Sequence, residues 1–132
     1  MTAFVRVLAA FMCDDIRQEI NGKRTFVGVY NPKVLVPSFP ASLAFHLVLV
    51  VSFESKGEGP FSLRITSEGT EKPMEFKGHI VISELISGEI FTIGPLLMQF
   101  EKPSEFSLEA EMPGGWQRIQ TWRVEIQPSG GR

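Results

Sequence analysis

Cysteine and histidine are scarce in this chain. Its 132 residues contain one cysteine, Cys13, and two histidines, His46 and His79. A single cysteine cannot form an intramolecular disulfide, so packing alone must hold the fold, which predicts a reducing, cytoplasmic location. A zinc site would need four well-placed ligands, and the chain offers few of the right type. We therefore expect no disulfide, no metal and no cofactor.

Clustered positive charge and long apolar runs are also missing. The chain has 13 Lys and Arg against 15 Asp and Glu, and no basic run is longer than Lys23-Arg24. Nucleic-acid binding requires concentrated positive charge, and surface attachment to a membrane requires a basic amphipathic helix. No segment approaches the roughly 20 apolar residues that cross a bilayer. We expect neither nucleic acid nor a membrane as a partner.

The first residues, "MTAFVRVLAAFMC", superficially resemble an export signal. However, Arg6 lies inside the apolar run, no basic segment precedes it, and Phe11-Met12 occupies the place of a small-residue cleavage site. Written as an extended strand, the segment is apolar on both faces, which is typical of a strand inside a sheet. We predict a first strand here.

Turn residues separate short apolar runs along the rest of the chain. Asn21-Gly22 predicts a tight hairpin turn, because both residues tolerate the positive φ of a type I′ turn. The prolines between residues 31 and 42 predict an extended crossover, and Gly94-Pro95 predicts a bend, a bulge or an edge strand. The predicted strands are 4–12, 24–30, 43–53, 61–67, 74–83, 89–100, 106–112 and 116–127.

The fold class follows from this pattern. No amphipathic helix of normal length is present, and about eight short strands in a chain of this length predict an all-β fold. A two-sheet antiparallel β-sandwich is preferred over a closed barrel. We expect one domain over residues 1–127, followed by a flexible tail at 128–132.

The segment around Cys13 is the most tempting site. Asp14, Asp15 and Glu19 are weak candidates for metal ligands, since a calcium site needs several converging oxygens and the chain has only these two adjacent aspartates. Cys13 could act as a nucleophile with His46 or His79, but a lone cysteine in an apolar strand is usually buried and inert. We interpret the segment as the solvated rim of a hairpin, and we predict that the protein is not an enzyme.

The stretch "CDDIRQEINGKRTFVGVYNPKVLVPSFP" resembles a family of small bacterial proteins grouped as a domain of unknown function. The shared features are a strand ending in an acidic pair, the "NGK" turn, a "GVY" strand end and a proline-bounded crossover. The similarity covers residues 4 to about 53. It implies an immunoglobulin-like or C2-like sandwich, and it implies no known activity and no functional residues.

Two functions from different classes fit these observations. The first is a non-enzymatic module for protein binding or assembly, because the open edges of sandwich sheets can pair with another chain or with a second copy. The alternative is a domain that binds a small ligand or a metal ion in its end loops. The candidate partner contacts are Ile93, Gly94, Pro95 and Leu97 on one strand, and Tyr30, Trp116 and Arg118 as an aromatic patch near turn ends.

Overall fold

The computed structural model describes residues 3–68 and 72–128. The predicted tail therefore lies outside the described residues, except for Pro128. A three-residue 3₁₀ turn, Ile20–Gly22, is the only helical element in these ranges. The strands are β1 (Phe4–Gln18), β2 (Arg24–Val29), β3 (Lys33–Val36), β4 (Ala41–Ser55), β5 (Gly57–Ser67), β6 (Met74–Ile82), β7 (Ser87–Phe100), β8 (Ser104–Met112) and β9 (Gly115–Ile126).

These strands form two sheets that pack face to face. The four-stranded sheet has the order β2-β1-β4-β7, and the five-stranded sheet has the order β3-β9-β8-β5-β6. Every pair is antiparallel except β3 and β9, which run parallel. The predicted all-β, two-sheet sandwich is confirmed, with nine described strands and this one exception to antiparallel pairing.

The core lies between the inner faces of the two sheets. Alternate residues of β4, including Phe45, Leu47 and Leu49, point inward and are 1% exposed or less. From the other sheet, Phe106 stacks on Trp122 with ring centroids 5.3 Å apart. Each large side chain buried in this way stabilises the fold by about 1.5–3 kcal/mol relative to exposure.

Strand β3 occupies the segment that was predicted as an extended crossover. Its two buried residues, Val34 and Val36, alternate with exposed ones, and it pairs with the end of β9. Pro32 and Pro37 flank the strand, where their missing N–H groups cost no ladder hydrogen bond. The segment is extended as expected, but its place in a sheet was missed.

The β1–β2 hairpin bends back over the outer face of the four-stranded sheet. Phe26 is paired across the hairpin with Ile16, yet its ring lies 5.3 Å from that of Phe11. Five residues of straight strand would separate Phe11 from Ile16 by about 17 Å. Phe11 points away from the core, so the bent hairpin, residues 14–29 and hereafter the flap, lies on the outer surface.

The flap covers part of the sheet and reaches the edge strand. Cys13 and Val48 are 0% exposed although they lie outside the core between the sheets. Arg24 of the flap donates from Nη1 to the carbonyl oxygen of Ile90 on β7, at 3.1 Å. The hairpin turn has the expected conformation, with φ of 65° at Asn21 and 76° at Gly22.

Strand β7 is an edge strand with a bulge in its middle. Ile93 is opposite Leu47 and Leu96 is opposite Phe45, so Gly94 and Pro95 together face the single residue His46. This is the two-against-one arrangement of a β-bulge. The prediction that Gly94-Pro95 produces a bulge or an edge is confirmed, since β7 shows both.

Candidate binding site

The acidic residues of the flap each have a protein partner. Asp14 accepts a hydrogen bond from the phenol of Tyr30. The pKa of Tyr30 is raised to about 12, mainly because the phenol is buried, and further because of this bond and the negative charge of Asp14. Glu19 accepts a hydrogen bond from the hydroxyl of Thr25 at 2.7 Å. Asp15 accepts from the backbone N–H of the next residue at 2.9 Å. The three carboxylates are therefore used locally.

These carboxylates do not converge on a metal site. Within residues 3–68 and 72–128, no three His, Cys, Asp or Glu side chains lie close enough together to hold a metal ion. Three glutamates near strand ends are also dispersed, each against a different basic residue, which reduces the support for the ion-binding alternative. The contacts are Arg6 with Glu54, His79 with Glu58, and Arg123 with Glu105.

Cys13 has one of the two predicted histidines beside it. It lies in cross-strand register with His46, whereas His79 is on β6 and contacts Glu58 at 3.3 Å. Burial is the main cause that raises the pKa of the Cys13 thiol, and the charges of the adjacent aspartates raise it further. A protonated thiol under the flap is a poor nucleophile.

The predicted aromatic patch is divided between distant places. Trp116 lies under Arg64, whose guanidinium carbon is 4.2 Å from the ring centroid, and Arg118 is on the same strand. Tyr30 packs against the edge of the core near Pro32, whose carbonyl accepts from the N–H of Arg123. Arg123 is seven residues along β9 from Trp116, which corresponds to about 23 Å. The structure does not bring Tyr30 to the other two residues.

The predicted contacts on β7 face two different directions. Ile93 is opposite Leu47 and points inward, whereas Leu97 is opposite Ala44 and points outward. Leu97 is 61% exposed. Gly94 and Pro95, between them, form the exposed bulge. The four residues therefore share one strand without forming one patch.

A lateral cleft opens between the edge strands β6 and β7. It encloses about 290 Å³. No described strand lies beside β7 on its outer edge, and β6 is an edge strand of the five-stranded sheet. The cleft is lined mostly by apolar side chains from both sheets, and its principal wall residues are Phe61, Leu63, Phe76, Gly78, Phe91 and Ile93.

The lateral cleft reaches the core and is not sealed from solvent. Leu63 is 2% exposed and belongs to the core, whereas Phe76 and Phe91 are only half-buried. Sequence reasoning found Ile93 as a contact residue but missed the cleft itself. The available signal was Gly78, which interrupts the inward-facing series of Phe76 and Ile80 on β6.

Two other concave regions are weaker candidates for a binding site, because arginine side chains already occupy them. A hollow of about 480 Å³ lies between the flap tip and the start of β7, and Arg24 already crosses it to reach Ile90. A second, of about 340 Å³, contains Arg123 and its acidic neighbours Glu105 and Glu125. Arg123 contacts both carboxylates, at 3.0 and 3.7 Å, so these charges satisfy one another.

None of the family models, curated protein sequences or solved structures compared with this chain matches it. The two-sheet fold implied by the resemblance is present, and the family itself stays an expectation. In the part of the chain that the structure describes, no helix has the length and apolar character needed to cross a membrane.

Proposed function

We propose that this protein is a non-enzymatic binding module that accepts an extended polypeptide segment beside β7, over the lateral cleft. The observation that carries the proposal is the position of the cleft, between two edge strands and open to the core. An incoming strand would lie above β6 and would cover the half-buried side chains there, including Phe76 and Ile80.

Strand addition explains how one surface supplies both affinity and selectivity. The backbone of the added segment pairs with the edge strand, and every second side chain enters a pocket. On β7, the segment Glu89–Ile93 keeps a continuous register with β4, between an irregularity at Gly88 and the bulge at Gly94. Side chains of the partner that point inward would meet the lateral cleft, and the alternate ones would remain in water.

The size of the surface favours a peptide segment over a folded second copy. Five residues of strand are about 17 Å long, and the spacing between packed sheets is about 10 Å. This strip of about 170 Å² is well below the roughly 800 Å² that each partner buries in a stable dimer of standard size. Self-association through this surface alone would be weak.

Two features of β7 restrict access to its edge. The Arg24 guanidinium occupies the carbonyl oxygen of Ile90, and Pro95 lacks a backbone N–H. Natural edge strands commonly carry charged residues, prolines and bulges that prevent uncontrolled pairing. We expect a cognate segment to displace Arg24 and to end its pairing before the bulge.

The family and the compartment belong to the same proposal. The pattern of the acidic pair, the "NGK" turn and the proline-bounded crossover supports membership in the family of small bacterial proteins. The single cysteine, Cys13, which is buried and free, supports a cytoplasmic location.

A library of random dodecapeptides displayed on phage tests the proposal, with the full chain as bait. Binders should show alternating apolar and polar residues, and Phe76→Ala should weaken each selected peptide at least about tenfold, since it removes one cleft wall. Phe39→Ala is the matched control, because Phe39 is also a half-buried phenylalanine packed on the core but lies outside the cleft.

Equal binding to the two variants would contradict the proposal, as would a selection that enriches no sequence over the unselected library. Light scattering on the same samples separates self-association from peptide binding. A stable dimer at micromolar concentration that Phe76→Ala dissociates and Phe39→Ala does not would show that a second copy occupies the edge.

A further inference from the structure

Gly78 leaves an empty position in the wall of the lateral cleft. It lies on β6 directly opposite Phe61, and its neighbours on the same face are Phe76 and Ile80. A Cβ atom built at Gly78 would meet no heavy atom within 4 Å. Its φ is outside the left-handed region that favours glycine. Neither the backbone conformation nor a closely packed neighbour requires glycine at this position. The effect of the missing side chain is therefore to leave open space in the wall.

We infer that this space receives one large apolar side chain of the bound segment, and that Gly78 determines the segment's specificity. This inference rests on the proposed function. The incoming group would be surrounded by Phe61, Phe76 and Phe91, which are all half-buried in the free protein. Aromatic rings attract a further ring in edge-to-face or offset arrangements, so a phenylalanine-like group fits best.

The chemistry of the wall excludes a charged occupant. Among the described residues that line the cleft, Lys77 is the only charged one, and it pairs in register with Ser62 on the alternate, outward face of β6. Its Nζ lies 3.9 Å from a carboxylate oxygen of Glu75, on that same face. An ionised side chain inside the lateral cleft would lose its hydration and gain no partner.

The dimensions also favour a side chain over a whole small-molecule ligand. The volume of about 290 Å³ is at the lower limit of pockets that enclose drug-sized molecules. The two edge strands both contribute to the rim, with Gly78 from β6 and Thr92 from β7 among the residues that line the cleft. A peptide can use backbone pairing and pocket filling together, whereas a small molecule can use only the second.

The first arm of the test measures the cleft without any peptide. Toluene serves as the phenylalanine side-chain analogue, and propionate and acetamide as charged and polar comparisons, each observed by saturation-transfer NMR with the full chain. Toluene should bind the wild type, and Gly78→Leu should reduce the toluene signal at least tenfold. The leucine side chain fills the open space, so the melting temperature should not fall.

Gly114→Leu is the matched control. Gly114 also has open space around a built Cβ and no left-handed φ, but it lies in the β8–β9 turn, away from the cleft. The Gly114→Leu variant should bind toluene as the wild type does. Gly78→Ala, which adds one carbon, should give an intermediate loss and keeps the test valid if the leucine variant folds poorly.

The second arm uses peptides selected on the wild-type chain. Replacing their central aromatic residue by alanine should weaken binding at least about tenfold, and Gly78→Leu should have a similar effect. If the selected peptides bind Gly78→Leu as tightly as wild type and toluene does not bind, the inference is overturned while the proposed function stands. If toluene binds and Gly78→Leu abolishes toluene binding, but no peptide is ever selected, the preference of the cleft for an aromatic group stands and the proposed function is wrong.

Discussion

Replacing Gly28 by alanine should be among the most disruptive single-carbon changes in the flap. Gly28 has a φ of +69°, and an added Cβ would lie 2.9 Å from the carboxyl carbon of Asp14 and closer still to one of its oxygens. The same carboxylate accepts the phenolic hydrogen bond of Tyr30. The substitution therefore strains the backbone and displaces a hydrogen-bonded carboxylate at once.

The expected loss in the free energy of unfolding is about 3 kcal/mol. A non-glycine residue in the left-handed region costs about 1–2 kcal/mol. Disturbing a hydrogen bond to a charged group costs about 1.5–3 kcal/mol more. Gly88→Ala separates the two contributions, because Gly88 has a φ of +91° and nothing within 4 Å of a built Cβ. This control should lose only the first contribution.

Urea unfolding followed by tryptophan fluorescence measures both variants, since Trp122 is fully buried in the native state. The second measurement is a double-mutant cycle with Asp14→Gly, which removes both the carboxylate and the Cβ that would lie 3.1 Å from the added atom, and should reduce the cost of Gly28→Ala to about that of Gly88→Ala. A cost at Gly28 equal to that at Gly88 in the wild-type background would refute the placement of Asp14 over Gly28.

Three further predictions concern Arg24 of the flap and the two residues that flank the flap, Cys13 and Tyr30. The only tyrosine, Tyr30, should ionise near pH 12 rather than 10 in an absorbance titration. Because folding raises the pKa of Tyr30, the stability that this residue contributes is complete below about pH 10 and is lost as the pH rises towards 12. A midpoint near 10 would contradict its contact with Asp14. Cys13 should react with a thiol reagent at least about a hundredfold more slowly in the native state than in urea, because its thiol is buried and its pKa is raised; rapid native labelling would show that the flap does not cover it. Arg24→Ala should change the free energy of unfolding by less than about 1 kcal/mol, since its hydrogen bond to Ile90 is exposed. The variant should also bind selected peptides more tightly, because the carbonyl of Ile90 is then free. Weaker peptide binding would contradict competition between Arg24 and the peptide for that carbonyl.

Local sequence patterns predicted the strands and turns whose causes are themselves local. The strict alternation of residues 106–112 corresponds to β8, and the positive φ of Asn21 and Gly22 follows from their tolerance of left-handed backbone. Gly94-Pro95 predicted a bulge at an edge because proline cannot supply a ladder N–H. In each case a few neighbouring residues contain the whole physical reason.

Features that depend on distant pairing were not predictable in this way. The alternation of Val34 and Val36 is compatible with a strand, but only its parallel partner β9 makes it one. The flap depends on a bend near Gly28, which brings Phe26 onto Phe11. Nothing in the hydrophobic pattern of β1 and β2 distinguishes a straight hairpin from a bent one.

The lateral cleft was missed for a related reason. Gly78 looks like an ordinary weak point of a strand until β7 is placed as the last strand of the opposite sheet. The cleft is lined by residues from the edge strands of both sheets, so it depends on the whole topology. The sequence indicated Ile93 as a contact residue from its place in an apolar run, and the structure shows that Ile93 lines the lateral cleft.

The central claim is that an extended segment binds between the edges of β6 and β7. Its most direct test is the backbone amide spectrum of the labelled full chain during titration with a selected dodecapeptide. We expect the largest shift changes at residues 76–80 and 89–93, with slowed hydrogen exchange at the β7 edge. Changes concentrated instead around Trp116 and Arg64, or confined to the flap, would contradict the account.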